Sequence, residues 1–139
     1  MAENSNSGAA SGFFELEIIT PERVFYRGQV RLVEFRSSEG YLGVLAGHVP
    51  TVCILEPGVL HLYEENGEKK AALHRGFAEI TGEKVSILAE IAEWPEEIDL
   101  NRAKEAKIRA ERRISDGSDD LARDELALRR AIARIETID

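Results

Sequence analysis

The chain has 139 residues, of which 43% are hydrophobic, and its 26 acidic and 18 basic residues give a net charge of −8. This size allows one compact domain plus an appendage, and it excludes large multidomain enzymes. The negative charge argues against nucleic-acid binding, which needs a basic surface to neutralise phosphates. More than half of the lysines and arginines lie after Pro95, so the charge is uneven along the chain.

The first residues, 1–12, are mostly Ala, Ser, Asn and Gly, and they predict a disordered extension. They lack the apolar core of a secretory signal, so we expect the protein to stay in the compartment where it is made. No apolar run approaches the roughly 20 residues that cross a bilayer, so we expect no direct membrane insertion. Cys53, the single cysteine, lies in an apolar run and is interpreted as a buried core thiol.

Residues 13–95 carry the signals of short strands separated by turns. In residues 14–18 apolar side chains alternate with acids, which is the period of a strand with one buried face. The Asn-Gly pair at 66–67 favours a tight hairpin. About eight to ten strands at this spacing predict an all-β sandwich or flattened barrel. The predicted strands are 14–18, 24–27, 30–36, 41–45, 51–55, 59–63, 71–74, 76–80 and 85–89.

The switch from strand to helix is predicted at Trp94-Pro95, because proline disfavours helix before it and fits a helix start. Acids gather at the start of the first helix, which runs to Ile114 and ends at the breaker 115–117. The second helix can take Ser118 or Asp119 as its N-cap. Each helix has one narrow stripe of apolar or small residues: Leu100, Ala103, Ala110 and Ile114, then Leu121, Leu128, Ile132 and Ile135.

Two helices joined by such a short connection form an antiparallel hairpin when they pack on each other. Burial of a Leu or Ile side chain stabilises by roughly 1.5–3 kcal/mol, whereas ordering each residue costs about 1–2 kcal/mol. Because the stripes are thin and rich in alanine, the hairpin is expected to be marginal alone and to need another surface. This favours a mobile element.

No constellation of catalytic or metal-binding residues is found in the sequence. His48, His61 and His74 are not spaced as metal ligands, and there is neither a phosphate-binding Gly-x-x-x-x-Gly-Lys-Ser/Thr loop nor a Ser, His and Asp set in a known context. The glycines of residues 40–43 are interpreted as turn residues. His48 can be an interface residue, but a hydrogen bond within its own loop is the simpler interpretation. We expect no catalytic activity from this chain and no required cofactor.

The arginines of the helices are spaced to share faces. Arg130 and Arg134 are four residues apart, and Arg102 and Arg109 are seven apart, so the four guanidinium groups could converge on an anion in a folded hairpin. A solvated charged face explains the same spacing and is the simpler interpretation of the arginines alone.

Three motifs in this order resemble the epsilon subunit of bacterial F-type ATP synthases: residues 40–50 (GYLGVLAGHVP), 75–80 (RGFAEI) and 85–90 (VSILAE), followed by the Ala- and Arg-rich hairpin. The resemblance covers residues 13–139. It implies a ten-stranded β-sandwich at 13–95 and an antiparallel two-helix hairpin at 96–139. It also implies a non-catalytic subunit of the central stalk, peripheral on the cytoplasmic face of the cell membrane, bound to the gamma subunit and the ring of c subunits.

The resemblance further implies that the hairpin can leave the sandwich, extend along gamma toward the alpha and beta subunits, and block ATP hydrolysis. Residues 98–103 (IDLNRA) match the signature Ile/Leu-Asp-x-x-Arg-Ala of family members that bind ATP as a regulatory ligand of the folded hairpin. In that case Asp99 has a positioning role, Glu93 contacts the adenine side and the arginines pair with phosphates. The implied ATP-binding residues are Glu93, Ile98, Asp99, Arg102, Ala103, Arg109, Arg130 and Arg134.

For the contact with the c-ring and gamma, the resemblance implies the loop around Glu39 and Tyr41, together with His48; Tyr41 stands where an acid is frequent in the family. The alternative from the residues alone is a free-standing β-sandwich adaptor or nucleotide sensor whose hairpin captures a partner helix.

Overall fold

The computed structural model describes residues 12–139, which form ten strands followed by two helices. Except for Gly12, the predicted disordered extension lies outside the described residues. The strands are β1 Phe14–Ile19, β2 Val24–Val30, β3 Leu32–Ser37, β4 Gly40–Val44, β5 Thr51–Leu55, β6 Gly58–Glu64, β7 Gly67–Leu73, β8 Gly76–Ile80, β9 Lys84–Ala89 and β10 Ala92–Glu93. A 3-10 turn, Pro95–Glu97, leads into α1 (Leu100–Ser115) and α2 (Leu121–Ile138).

The strands are hydrogen-bonded in the order β10-β7-β6-β3-β5-β8-β9-β1-β2, with β4 paired to β3. The β1–β9 pair is parallel, with Leu16 opposite Val85, and the other pairs are antiparallel. β3 pairs with β6 over residues 32–34 and with β5 only at Ser37, so it crosses between two layers. Trp94 directly follows β10, at one end of this order, and stacks on Phe25 of β2, at the other end, with ring centroids 4.1 Å apart. The predicted ten-stranded β-sandwich is confirmed.

The core lies between the layers and consists of alternate side chains of the strands. In β1 the predicted alternation is confirmed, since Phe14, Leu16 and Ile18 are fully buried. All members of the core cluster come from the strands, and no residue of α1 or α2 belongs to it. The sandwich therefore has a hydrophobic core of its own, independent of the hairpin.

The helices pack on each other across a short connection and confirm the predicted hairpin. Asp99 is the N-cap of α1 and accepts a 3.1 Å hydrogen bond from the backbone N–H of Arg102. α2 lies against β6 and β7. Its N-cap is Asp120, whose carboxylate accepts from the backbone N–H of Arg123, so the prediction of Ser118 or Asp119 is wrong. Ser118 instead donates to the buried carboxylate of Asp124. None of the described helices is long and apolar enough to span a bilayer.

Two predictions about single side chains need correction. Cys53 is half-buried against the core rather than fully buried, and its neighbours Val52 and Ile54 face outward. Leu121 does not belong to a buried stripe: as the first residue of α2 it lies beside the turn and remains 50% exposed. The strand bounds differ from the predictions by a few residues, most at β2, which continues to Val30, and at β7, which begins at Gly67.

Candidate functional site

A cavity of about 370 Å³ lies where the 3-10 turn, α1 and α2 meet the edge of the sandwich. Its lining contains seven of the eight residues that the resemblance implies for ATP binding, and Arg130 is the one that does not line it. The lining residues are Glu93, Glu97, Ile98, Asp99, Arg102, Ala103, Ala106, Arg109 and Arg134. The fold thus brings together side chains from β10, the turn and both helices.

Each structural element places its side chains for a local reason. Asp99 directly precedes α1, and its carboxylate caps the first turn by accepting a hydrogen bond from the backbone N–H of Arg102, the third residue of the helix. Ala103 is buried, and its small side chain lets α1 approach its neighbours closely. Ile98 ends the 3-10 turn, with its backbone N–H bonded to the carbonyl of Pro95 at 3.1 Å.

Two of the cationic side chains in the cavity are available for an anion. Within residues 12–139, neither Arg102 nor Arg109 has a carboxylate in ion-pair distance. Both lie on α1, seven residues apart, so they face the same side of that helix as expected. A guanidinium group presents a planar fork of donors that matches a phosphate or carboxylate. The cavity is therefore suited to an anionic ligand.

The third arginine of the cavity is already paired. Arg134 Nε donates to Glu93 Oε1 at 2.8 Å, and the same oxygen accepts from Nε2 of His74 at 3.2 Å. Burial alone would raise the pKa of Glu93, but the hydrogen bonds from His74 and Arg134 outweigh it and lower that pKa to about 2. Glu93 is therefore ionised at neutral pH and joins α2 to the sandwich.

Arg130 lies one turn before Arg134 but points away from the cavity. Its Nη2 donates to Glu90 Oε1 at 3.0 Å, and its buried Nε has no hydrogen-bond partner within the described part of the chain. Arg129 adds a third ion pair, at 3.7 Å from Glu56. These three arginines of α2 tie the hairpin to three carboxylates of the sandwich. For Arg130 and Arg134 to bind phosphate, they would have to leave Glu90 and Glu93.

The residues implied for the c-ring and gamma contact do not form one cluster. Glu39 lies in the turn between β3 and β4, and Tyr41 is exposed on β4 beside Arg36, whose guanidinium carbon is 5.8 Å from the ring centroid. This hairpin adjoins the Leu55 end of β5, since the backbone N–H of Ser38 bonds to the carbonyl of Ile54.

His48 lies at the other end of β5. Its Nδ1 donates to the carbonyl of Val49 at 2.7 Å, which confirms the predicted hydrogen bond within its own loop. The preceding residue, Gly47, bonds to Gly82 beyond the Thr51 end of the strand. About 13 Å of strand separates the two ends.

An exposed apolar row, which the sequence interpretation missed, crosses the outer side of the β5-β8-β9 layer. Ile54 of β5, Phe77 of β8 and Leu88 of β9 are directly opposite one another in register, and they are 61%, 47% and 41% exposed. Val52 of β5 extends the row along the strand. An apolar groove of about 330 Å³ lies beside Phe77 and Leu88. The available signal was the unbroken apolar run at 52–55, which leaves no polar face for solvent.

Comparison with known proteins agrees with this architecture. The model of the ATP synthase delta/epsilon chain β-sandwich domain matches residues 13–95, and the model of its long α-helix domain matches residues 96–139.

The ATP synthase epsilon chain of Ruminiclostridium cellulolyticum is 46% identical over 124 residues, which cover 88% of this chain and 92% of that one. The epsilon chain of Clostridium novyi is 44% identical over 128 residues, covering 90% and 97%. A chain in the cryo-EM structure of the Euglena gracilis mitochondrial ATP synthase (OSCP/F1/c-ring) is 30% identical with a TM-score of 0.77, covering 90% of this chain and 80% of that one. The protein therefore belongs to the ATP synthase epsilon-chain family and is an accessory, non-catalytic subunit of that complex.

Proposed function

We propose that this subunit works in the rotor of the ATP synthase, where its sandwich couples the gamma subunit to the c-ring and its hairpin inhibits ATP hydrolysis. In the inhibiting form the hairpin leaves the sandwich and extends along gamma toward the alpha and beta subunits. The subunit would then lie peripherally on the cytoplasmic face of the membrane. Family membership displaces the alternative of a free-standing adaptor.

The observation that carries this proposal is the composition of the hairpin's contacts. No Leu or Ile of either helix is fully buried, and the fully buried helical side chains are Ala103, Ala110, Asp124, Ala131, Ala133 and Thr137. A buried methyl group stabilises by only about 0.8 kcal/mol. The three ion pairs to the sandwich are partly exposed, and exposed pairs contribute roughly 0–1 kcal/mol each. Another surface can therefore compete for the hairpin.

The apolar row of Ile54, Phe77 and Leu88 supports a partner for the sandwich. Contiguous exposed apolar surface on a soluble domain is typical of a protein–protein interface. The row lies on a layer other than the β6–β7 surface that α2 covers, so it stays accessible while the hairpin is docked. We assign this row to the gamma subunit, and the loops at the two ends of β5, with Glu39, Tyr41 and His48, to further contacts with the c-ring and gamma.

Deleting residues 99–139 tests the inhibitory role. We expect the truncated subunit to assemble into the complex, because its core is built entirely from the strands, and ATP hydrolysis by the purified complex to rise several-fold. Hydrolysis is measured with the intact and truncated subunits at equal subunit content. Deleting residues 2–11 is the control, since it shortens the chain outside the hairpin and should leave the rate unchanged. Unchanged hydrolysis after loss of the hairpin would contradict inhibition.

ATP is proposed as the ligand of the cavity. The volume of the cavity falls in the range of about 300–1,000 Å³ usual for small-molecule sites. Arg102 and Arg109 are free to pair with phosphates first, and Arg134 can join after leaving Glu93. A ligand that contacts both helices binds only the folded hairpin, and by mass action it would stabilise the non-inhibiting form.

Calorimetric titration of the full chain with ATP checks this assignment. Replacing Arg109 with Ala removes a charged hydrogen-bond donor worth about 1.5–3 kcal/mol, so affinity should fall tenfold or more. Arg112→Ala is the matched control, because Arg112 lies on the same helix, is exposed and does not line the cavity. Absence of saturable binding up to about millimolar ATP, a binding free energy of about −4 kcal/mol, would remove ATP as the ligand.

A further inference from the structure

His74 is a fully buried histidine at the contact between the sandwich and the hairpin. It directly follows β7, one of the strands against which α2 packs, and its exposed fraction is 0%. Nε2 lies 3.2 Å from Glu93 Oε1, and within residues 12–139 Nδ1 has no hydrogen-bond partner and no solvent contact. The sequence pattern around His74 indicates no role for it.

This geometry favours the neutral imidazole. A neutral ring has one N–H donor and one bare nitrogen, and here the donor is Nε2, because its partner is a carboxylate oxygen. A second proton would sit on Nδ1, buried and without an acceptor. The charged groups that face the ring are Glu93 from β10 and two arginines from α2, Arg130 and Arg134. Burial, together with these arginines, lowers the pKa of His74 despite the opposing effect of Glu93.

We propose that His74, Glu93 and Arg134 form a proton-sensitive latch, which holds the hairpin on the sandwich while His74 is neutral and loosens when His74 takes up a proton. The latch rests on the proposed function in one respect, since it requires a hairpin that can leave the sandwich. It assigns a signal, acidification, to that movement.

The direction of the pH dependence follows from the charged side chains that leave with the hairpin. Undocking removes Arg130 and Arg134, so among the described residues Glu93 keeps His74 as its hydrogen-bond partner, and an imidazolium can pair with it without facing these two cations. The undocked form therefore binds the proton more tightly than the docked form.

Well above the ordinary histidine pKa of 6.5 both forms are neutral, and docking does not depend on pH. Between that value and the lowered pKa of His74 in the docked form, the undocked form holds up to one more proton, so the docking constant falls by up to about tenfold per pH unit. Falling pH would thus shift the hairpin toward the form proposed to block hydrolysis.

Hydrogen exchange of the full chain between pH 5.5 and 8, without nucleotide, tests the latch. The readout is the protection factor of the α2 amides, corrected for the chemical exchange rate at each pH, with the buried strand β1 as internal reference. We expect α2 protection to fall by up to about tenfold per pH unit below about 6.5, while β1 protection changes much less.

The variant His74→Gln should abolish this pH dependence, because its amide can still donate to Glu93 but cannot take up a proton. The chain has three histidines, so His48→Gln and His61→Gln are matched controls that should retain the dependence. If His74→Gln lowers α2 protection already at pH 8, the change in the α2 protection factor between pH 7 and 5.5 is still compared between the variant and the unmodified chain.

Two results would overturn the latch: α2 protection that is independent of pH in the unmodified chain, or an equal slope in His74→Gln. Either result leaves the proposed function standing if deletion of residues 99–139 still raises ATP hydrolysis. If that deletion has no effect on hydrolysis, the inhibitory function itself fails, whatever the pH dependence of α2.

Discussion

Replacing Gly76 with Ala is expected to lower the free energy of unfolding by more than about 4 kcal/mol, enough to leave little folded protein. A Cβ atom at this position would lie 1.9 Å from the carbonyl oxygen of Leu88 and 2.8 Å from Cα of Ala89. Both atoms belong to the backbone of β9 and cannot rotate away. Gly76 also pairs with Leu55 of β5, so β8 is held on both sides and has no room to shift.

Urea unfolding followed by the fluorescence of Trp94, the single tryptophan, measures the change. Gly82→Ala is the control, since a Cβ there would meet nothing within 4 Å. That variant should stay within about 1 kcal/mol of the unmodified chain, with a small gain possible because alanine restricts the unfolded state. A loss below about 1 kcal/mol in Gly76→Ala would show that β8 and β9 can move apart to admit the methyl group, contrary to the expected clash.

The elements predicted correctly from the sequence are those set by local patterns. The alternation in β1 identified Phe14, Leu16 and Ile18 as core residues, because strand side chains point to opposite faces with a period of two. The end of α1 was predicted to within one residue, because the breaker acts on its immediate neighbours. The cap of α2 was wrong because Ser118, Asp119 and Asp120 are all good N-caps, and only tertiary contacts choose among them.

The features missed by the sequence analysis depend on residues far apart in the chain. The parallel pairing of β1 with β9 joins segments about 70 residues apart, and no local signal specifies it. The need for glycine at 76 arises from the backbone of β9, whereas the sequence predicts this residue only as the start of a strand. His74 has no sequence signal because its partner Glu93, and Arg134 bonded to that glutamate, come from another strand and from α2.

The candidate site shows the same division. The motif at 98–103 and the spacing of the arginines indicated a set of residues for an anion, and seven of the eight line one cavity. The sequence could not show that Arg130 and Arg134 already have carboxylate partners, since those pairs exist only after α2 has docked. Within the cavity a nucleotide can therefore pair first with Arg102 and Arg109, and it gains Arg134 only when that side chain exchanges Glu93 for a phosphate.

Replacing Ile54 with Asp is expected to separate the subunit from its complex while leaving the subunit folded. Ile54 is 61% exposed at the end of the Ile54, Phe77 and Leu88 row, so a charge there meets water in the free chain and should change stability by no more than about 0.5 kcal/mol. When a partner covers the row, the same carboxylate is buried without a counter-ion, which costs about 3–5 kcal/mol. Affinity should therefore fall at least a hundredfold.

The measurement is capture of the gamma, alpha and beta subunits on a tagged chain, together with urea unfolding of the free variant. Ile108→Asp is the matched control, because Ile108 is 52% exposed on α1, outside the row and within the segment whose deletion should not prevent assembly. Equal capture by both variants would show that the row is not the gamma surface. If even the unmodified chain captured none of these subunits, the partner assignments would fail, because the family match places the chain in the complex without specifying its contacts. Loss of capture in Ile54→Asp alone would show that the outer side of the β5-β8-β9 layer holds the subunit in its complex. The hairpin on the other layer could then leave the sandwich without releasing the subunit.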